Sequence, residues 1–103
     1  MEIVFFNNRS EKFFRSVDDS LRSHLNEAFL LLGEYNYNLG MPFSKSLGVR
    51  LFELRVVDVI HLRFVYTFYR GKIWILHGFT KKTERISRRD IDYAKKQLKI
   101  LLR

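Results

Sequence analysis

Cysteine is absent from this 103-residue sequence, and proline occurs once, at Pro42. Without cysteine there is no disulfide framework, no thiol nucleophile and none of the usual structural zinc sites. No apolar run approaches the roughly 18 residues that cross a bilayer, and no signal-peptide pattern opens the chain. The expectation is a soluble cytoplasmic protein with no membrane partner. No glycine-rich phosphate loop and no Gly-x-Ser-x-Gly elbow is present, so nucleotide hydrolysis and triad chemistry lack support. His24, His61 and His77 are dispersed and have no cysteine to join them, so neither metal nor cofactor is expected.

What is present is apolar and basic. Hydrophobic residues make up 47% of the chain and aromatics 16%, enough for one well-filled core and a single domain over residues 1–103. The net charge of +8 is uneven. Residues 1–49 hold five Lys/Arg against six Asp/Glu, residues 50–80 five against two, and residues 81–103 nine against three. The positive field therefore belongs to the second half. It suits either a surface facing a polyanion or a solvated, Lys-rich terminal helix.

Read in order, "EIVFF" (Glu2–Phe6) is an apolar strand. Ser10 is a candidate N-cap, and Phe13, Phe14 and Val17 fall at helical spacing. "SVDD" from Ser16 has the form of a capping box. Leu21, Leu25, Ala28, Phe29 and Leu32 then mark one face of an amphipathic helix, with Gly33 or Tyr35 as its end. This gives a helical hairpin or one bent helix over about residues 10–36. The stretch 36–48, with Gly, Asn, Ser and Pro42, reads as a connecting loop. Three strands follow. Phe52, Leu54 and Val56 alternate with Glu53 and Arg55, and Leu62, Phe64, Tyr66 and Phe68 alternate with His61, Arg63 and Thr67. "RGK" (Arg70–Lys72) turns into Ile73–Thr80, apolar on both faces and hence central. Ser87 and Asp90 cap a last helix whose buried stripe is Ile91, Ala94, Leu98 and Leu101. The expected class is α+β: an N-terminal strand, two helices, a three-stranded antiparallel meander and a C-terminal helix.

In such a meander Glu53, Arg55, His61 and Arg63 share the polar faces of adjacent strands, and the third strand delivers Lys81 and Lys82 at its end. A basic patch on a rigid sheet can hold a phosphodiester and stabilise charge on its oxygens, because the guanidinium fork grips two oxygens at once. The alternative is local neutralisation, with Arg55 paired to Glu53 and the lysines solvated at the strand end. His77 reads as a hydrogen-bonded core residue, and His61 is free for acid–base work. Tyr66 and Trp74 read as core, leaving Tyr35, Tyr37 and Tyr69 as the exposed rings that could stack on bases.

"LGVRLFELRV", "HLRFVYTF" and "IWILHGFTKKTERISRRDIDYAKKQL" together resemble the phage-derived HigB-like (Gp49-like) branch of the RelE/ParE toxin superfamily. The likeness runs from about Phe43 to Leu98. It implies a microbial-RNase-like fold and ribosome-dependent, metal-independent cleavage of mRNA. It also implies a cognate antitoxin, of the helix-turn-helix HigA-like kind. Carried over by position, the resemblance assigns catalysis to Arg55, Arg63, Lys81 and Lys82. It assigns RNA contacts to Glu53 and Tyr66, to which the polar strand face adds His61 and the basic segment Arg85 and Arg89. Some relatives use a C-terminal tyrosine, which Tyr93 does not match in spacing, so His61, Glu53 and a lysine all stay open as the general base. The gyrase-poisoning ParE branch and a non-enzymatic RNA- or DNA-binding module are the other readings.

Overall fold

The computed structural model describes residues 1–59 and 61–103. Among these the chain forms strands β1 (Ile3–Phe5), β2 (Ser44–Gly48), β3 (Leu51–Arg55), β4 (Leu62–Tyr69) and β5 (Lys72–Thr80). The helices are α1 (Asn8–Ser16), α2 (Arg22–Tyr35) and α3 (Arg88–Leu101), with short 3-10 turns at Asp19–Leu21 and Asn36–Asn38. The five strands make one mixed sheet in the order β1-β5-β4-β3-β2. β1 runs parallel to β5, and every other pairing is antiparallel. The architecture is α+β, with the meander β3-β4-β5 extended by one strand on each side.

Both faces of the sheet are covered. Leu54, Phe64, Tyr66, Ile73 and Ile75 point to one face, where Leu25, Ala28 and Leu32 of α2 and the rings of Phe13 and Phe14 pack. Leu51, Val65, Leu76 and Phe79 point to the other, against Ala94 and Leu98 of α3. The strand alternation expected from sequence therefore separates two cores; it does not separate a core from an open polar face. Gly78 shows how closely α1 approaches: a Cβ there would lie 2.6 Å from Phe13 Cδ2 and 2.9 Å from Phe64 Cε1. Only a glycine admits both rings.

Several boundaries differ from expectation. α1 is capped by Asn7, whose Oδ1 accepts from the Ser10 N–H at 2.8 Å, so Ser10 lies inside the first turn. Ser16 ends α1 and donates back to the Phe13 carbonyl; Asp18 caps the 3-10 turn in its place. α2 runs through Gly33 to Tyr35, the later of the two ends that the sequence allowed. β2 lies within the stretch read as a loop. Its sequence, Ser-Lys-Ser-Leu-Gly, lacks apolar alternation because it is an edge strand paired on one side only. The Ser87 cap is as expected: its Oγ accepts from the Asp90 N–H at 3.1 Å.

One irregularity in β5 matters for α3. Val65 pairs with His77 and Tyr66 with Ile75, which leaves Leu76 as a bulge residue. The bulge turns two consecutive side chains toward α3. Leu76 enters the core there, and His77 stacks on Phe79 and Tyr93. The Leu76 carbonyl accepts from Asn7 Nδ2 at 2.9 Å, and the same amide reaches Gln97 at 2.8 Å. One asparagine thus caps α1 and joins β5 to α3.

Candidate functional site

Strand register decides which cations meet. Arg55 on β3 lies directly opposite Arg63 on β4, and Arg63 opposite Phe79 on β5. β5 ends at Thr80, and the Lys81 N–H then donates to the His61 carbonyl at 2.6 Å. That bond draws Lys81 alongside the arginine pair. Two guanidinium groups side by side repel, and the chain offsets this with a carboxylate from beneath. Glu53, two residues before Arg55 and so on the same face, accepts from Arg55 Nε at 3.1 Å, and Arg63 Nε stands 3.7 Å from the same oxygen.

The Glu53 side chain is 2% exposed, that of Arg63 9%, and that of Arg55 23%. The trio is graded from a buried carboxylate to a half-buried guanidinium. Glu53 Oε2 and Arg63 Nε have no hydrogen-bond partner, so the pairing beneath the surface is unsaturated. Burial pushes the Arg63 guanidinium below its ordinary value; Glu53 opposes this and Arg55 adds to it. Arginine stays charged regardless. Burial also lowers the Lys81 ammonium; Glu53 opposes the shift, while Arg63, Arg55 and Lys45 reinforce it.

A cleft of about 560 Å³ opens above this cluster, lined by Arg55, His61, Arg63, Lys81, Lys82, Thr83 and Glu84. The catalytic candidates read from sequence, Arg55, Arg63, Lys81 and Lys82, all border it, as does His61. Lys81 is half-buried and Lys82 exposed. Lys81 also walls a second groove of about 530 Å³ toward α3, where Lys45, Leu47, Glu53, Arg85 and Ile91 take part. Arg89 lies farther round, in a hollow of about 360 Å³ shared with Lys81, Lys82, Arg85 and Arg9.

Two of the proposed RNA contacts are placed differently. Tyr66 is 1% exposed on the opposite face of the sheet, where its hydroxyl bonds Ser44 and its ring stacks on Phe52 at 5.5 Å. Burial raises its phenol further above the ordinary value. It is a core residue, as its alternation with Phe64 and Phe68 indicated, and no strand of RNA reaches it. Glu53 lies beneath the arginines and holds them from below, and it reaches a groove only on the side toward α3. Of the stacking candidates, Tyr35 and Tyr37 are exposed but border none of these grooves, and Tyr37 packs on Phe68 at 4.3 Å. Tyr69 lies under the Arg70 guanidinium at 5.1 Å.

Sequence reasoning missed three participants. Lys45 lies directly opposite Glu53, on the strand that was not expected. Arg9 sits in the half of the chain that carries no net positive charge, yet its guanidinium stacks over Tyr93 at 4.4 Å. Asp90 does more than its expected cap: its Oδ1 bonds His77 Nε2 at 2.7 Å and its Oδ2 accepts from Ser87 Oγ at 2.6 Å. Only the Ser-x-x-Asp spacing signalled any of these. Among the described residues no three His, Asp or Glu side chains gather in a way that would hold a metal ion, and no helix is long and apolar enough to cross a membrane.

No curated protein matches the sequence. A family model described as phage derived protein Gp49-like (DUF891) matches residues 12–99, a span that holds both core faces and every residue of the Arg55–Arg63 cleft. The chain belongs to the Gp49-like phage-derived protein family.

Proposed function

We propose that this protein is the toxin of a type II toxin–antitoxin module and cleaves mRNA on the ribosome. The observation that carries the reading is the Arg55–Arg63 pair, held side by side by strand register over a buried glutamate, with Lys81 beside it. Such a cluster is shaped for a phosphodiester. Its cations are already in place before charge develops, so the transition state is stabilised without reorganising the protein. Membership of the Gp49-like family and strand motifs that resemble those of HigB-like toxins support the same reading.

In this mechanism the substrate's 2′-oxygen attacks the adjacent phosphorus as the bond to the 5′-oxygen breaks. The products are a 2′,3′-cyclic phosphate and a 5′-hydroxyl. Arg55 and Arg63 bind the non-bridging oxygens and neutralise the added charge. Lys81, which borders the cleft beside both arginines, takes the 2′-hydroxyl proton, and the lowering of its ammonium pKa by burial acts in the direction this role needs. His61 or Lys82, on the same cleft wall, returns a proton to the leaving oxygen. Glu53 positions the arginines. No phenylalanine, tyrosine or tryptophan lines the cleft to hold a base. Ordering of the substrate is therefore assigned to the ribosome, and naked RNA is expected to be cut poorly. The cognate antitoxin, of the helix-turn-helix HigA-like kind, completes the module.

The test is primer extension on transcripts after induced expression of the protein alone. Growth arrest with new 5′ ends in translated mRNA is the expected result. Growth arrest with intact transcripts would overturn it and promote the gyrase-poisoning alternative. RNA binding with neither arrest nor cleavage would leave the non-enzymatic module.

A further inference from the structure

We propose that the cationic surface continues beyond the Arg55–Arg63 cleft as a track for the same RNA strand, passing Lys82 and Arg89 and ending where Arg9 stacks on Tyr93. Three hollows share walls in sequence. Lys81, Lys82 and Thr83 border both the cleft and the 360 Å³ hollow. Arg9, Arg89 and Asp90 border both that hollow and a further one of about 310 Å³, which Tyr93 and Lys96 complete. The path thus crosses from the end of β5, over the start of α3, to α1.

Charge along the path is unbalanced in a way that points to a ligand. Among the described residues Lys82, Arg89, Lys96 and Arg9 take part in none of the ion pairs. Of the carboxylates beside them only Glu84 takes part in no ion pair among the described residues, and Asp90 and Asp92 are occupied. Asp90 has one oxygen on His77 and the other on Ser87, and Asp92 stands 3.8 Å from Arg88. Unpaired like charges gathered along one line cost stability unless an anion offsets them.

The far end favours nucleic acid over an acidic peptide. Tyr93 covers the inner face of the Arg9 guanidinium at 4.4 Å, while Arg9 itself is exposed. Its outer face is a flat, charged platform of the kind on which unpaired bases stack. A peptide carboxylate would use the edge of the fork and gain nothing from the plane. The occupant assigned here is therefore single-stranded RNA, with phosphates on Lys82, Arg89 and Lys96 and a base on Arg9. The assignment of that strand as the substrate rests on the cleavage reading; the binding itself does not.

The experiment uses the full chain and 2′-O-methyl oligouridylates, which lack the attacking hydroxyl and cannot be cut by this route. Binding is followed by fluorescence anisotropy over a salt series, with a dinucleotide and with a strand long enough to fill the track. In the Arg9→Gln/Lys96→Gln variant the salt slope for the long strand should fall by about 0.7 for each lost phosphate contact. Its affinity should fall about fivefold or more through lost stacking, while dinucleotide binding stays unchanged. Arg9→Lys should keep the slope and lose affinity, which separates stacking from charge. Circular dichroism confirms that the variants fold. Unchanged binding of the long strand would overturn the track. So would loss confined to ribosome binding, which would assign the surface to ribosomal RNA, or loss confined to a poly-glutamate probe, which would assign it to a protein. If transcripts prove intact but the long strand binds as described, the track stands and only the cleavage reading fails.

Discussion

At the scale of single residues, Glu53 controls how the site can be tested. Arg63 is nearly buried and shares the Glu53 carboxylate with Arg55, so it cannot be removed as a surface charge would be. Truncating one partner of a buried pair costs about 3–5 kcal/mol, because the other charge is left uncompensated. Glu53→Gln should therefore lower stability by about that amount in a urea melt. If Glu53 were the general base, the same change would abolish cleavage and leave stability alone. The double variant Glu53→Gln/Arg63→Gln should recover much of the lost stability and none of the activity. Lys82→Ala, at an exposed position, should keep the fold and lose roughly a hundredfold in rate, about 3 kcal/mol of transition-state stabilisation. Arg55→Ala removes the hydrogen-bond donor of the buried Glu53 and should lower stability as well as rate. Leu54→Ala, in the fully buried core, provides the contrast: a stability loss of about 2–5 kcal/mol. A Lys82 variant that melts as Leu54→Ala does, or an Arg55 or Lys82 variant that remains fully toxic, would remove that residue from the site.

At the scale of elements, the bulge in β5 and the start of α3 form one joint. His77 is pressed between Phe79 and Tyr93 and held by Asp90, which also caps α3 through Ser87. Burial holds the His77 imidazole below its ordinary 6.5; the Asp90 contacts oppose this and Arg9 reinforces it. Above that value histidine is neutral in both folded and unfolded chains. As pH falls through it, the unfolded chain binds the proton first, and the stability contribution is lost on the way down to the folded pKa. Melting temperature should therefore drop below pH 6.5, and His77→Gln should flatten that drop. A wild-type profile flat across that range would contradict the assignment. The β2–β3 turn offers a second test. Val49 and Arg50 sit at φ 46° and 68°, the left-handed region that suits Asn-Gly and penalises a β-branched residue. Val49→Asn/Arg50→Gly should stabilise the protein by about 1 kcal/mol or more, read as a shift of the urea midpoint at constant m-value.

At the scale of the whole molecule, the fold gathers onto one side charge that the chain spreads along its length. Arg9 and Lys45 come from the half with no net positive charge, yet they join Lys81, Lys82 and Arg89 round the start of α3. Such a field should steer an acidic partner. Association with the antitoxin proposed above is expected to slow as salt rises, since exposed charges are screened beyond about 8 Å at physiological ionic strength. With Lys81, Lys82 and Arg85 replaced by Gln, the rate should fall and its salt dependence weaken. A stopped-flow series showing the same rate and slope in both proteins would mean that the antitoxin docks elsewhere.

Local pattern determined much of this protein. The amphipathic stripe of α2, the Arg70–Gly71 turn, the Ser87 cap and the meander from Leu51 to Thr80 depend on neighbours a few residues apart, so they are legible one residue at a time. The same alternation that put Arg55 and Arg63 on one face also put Tyr66 on the other, and there it outweighs the family pattern. What remained hidden depends on contacts distant in the chain. The β2 edge strand exists because β3 supplies its hydrogen bonds, and its own residues carry no apolar rhythm. The polar face of the strands became a second core because α3 returns across it. Glu53 became a buried anchor because Arg55 and Arg63 close over it, and Arg9 entered the basic surface because Asn7 ties the start of α1 to β5 and α3. Periodicity names the face a side chain occupies; only the packed chain decides whether that face meets water, a helix or another charge.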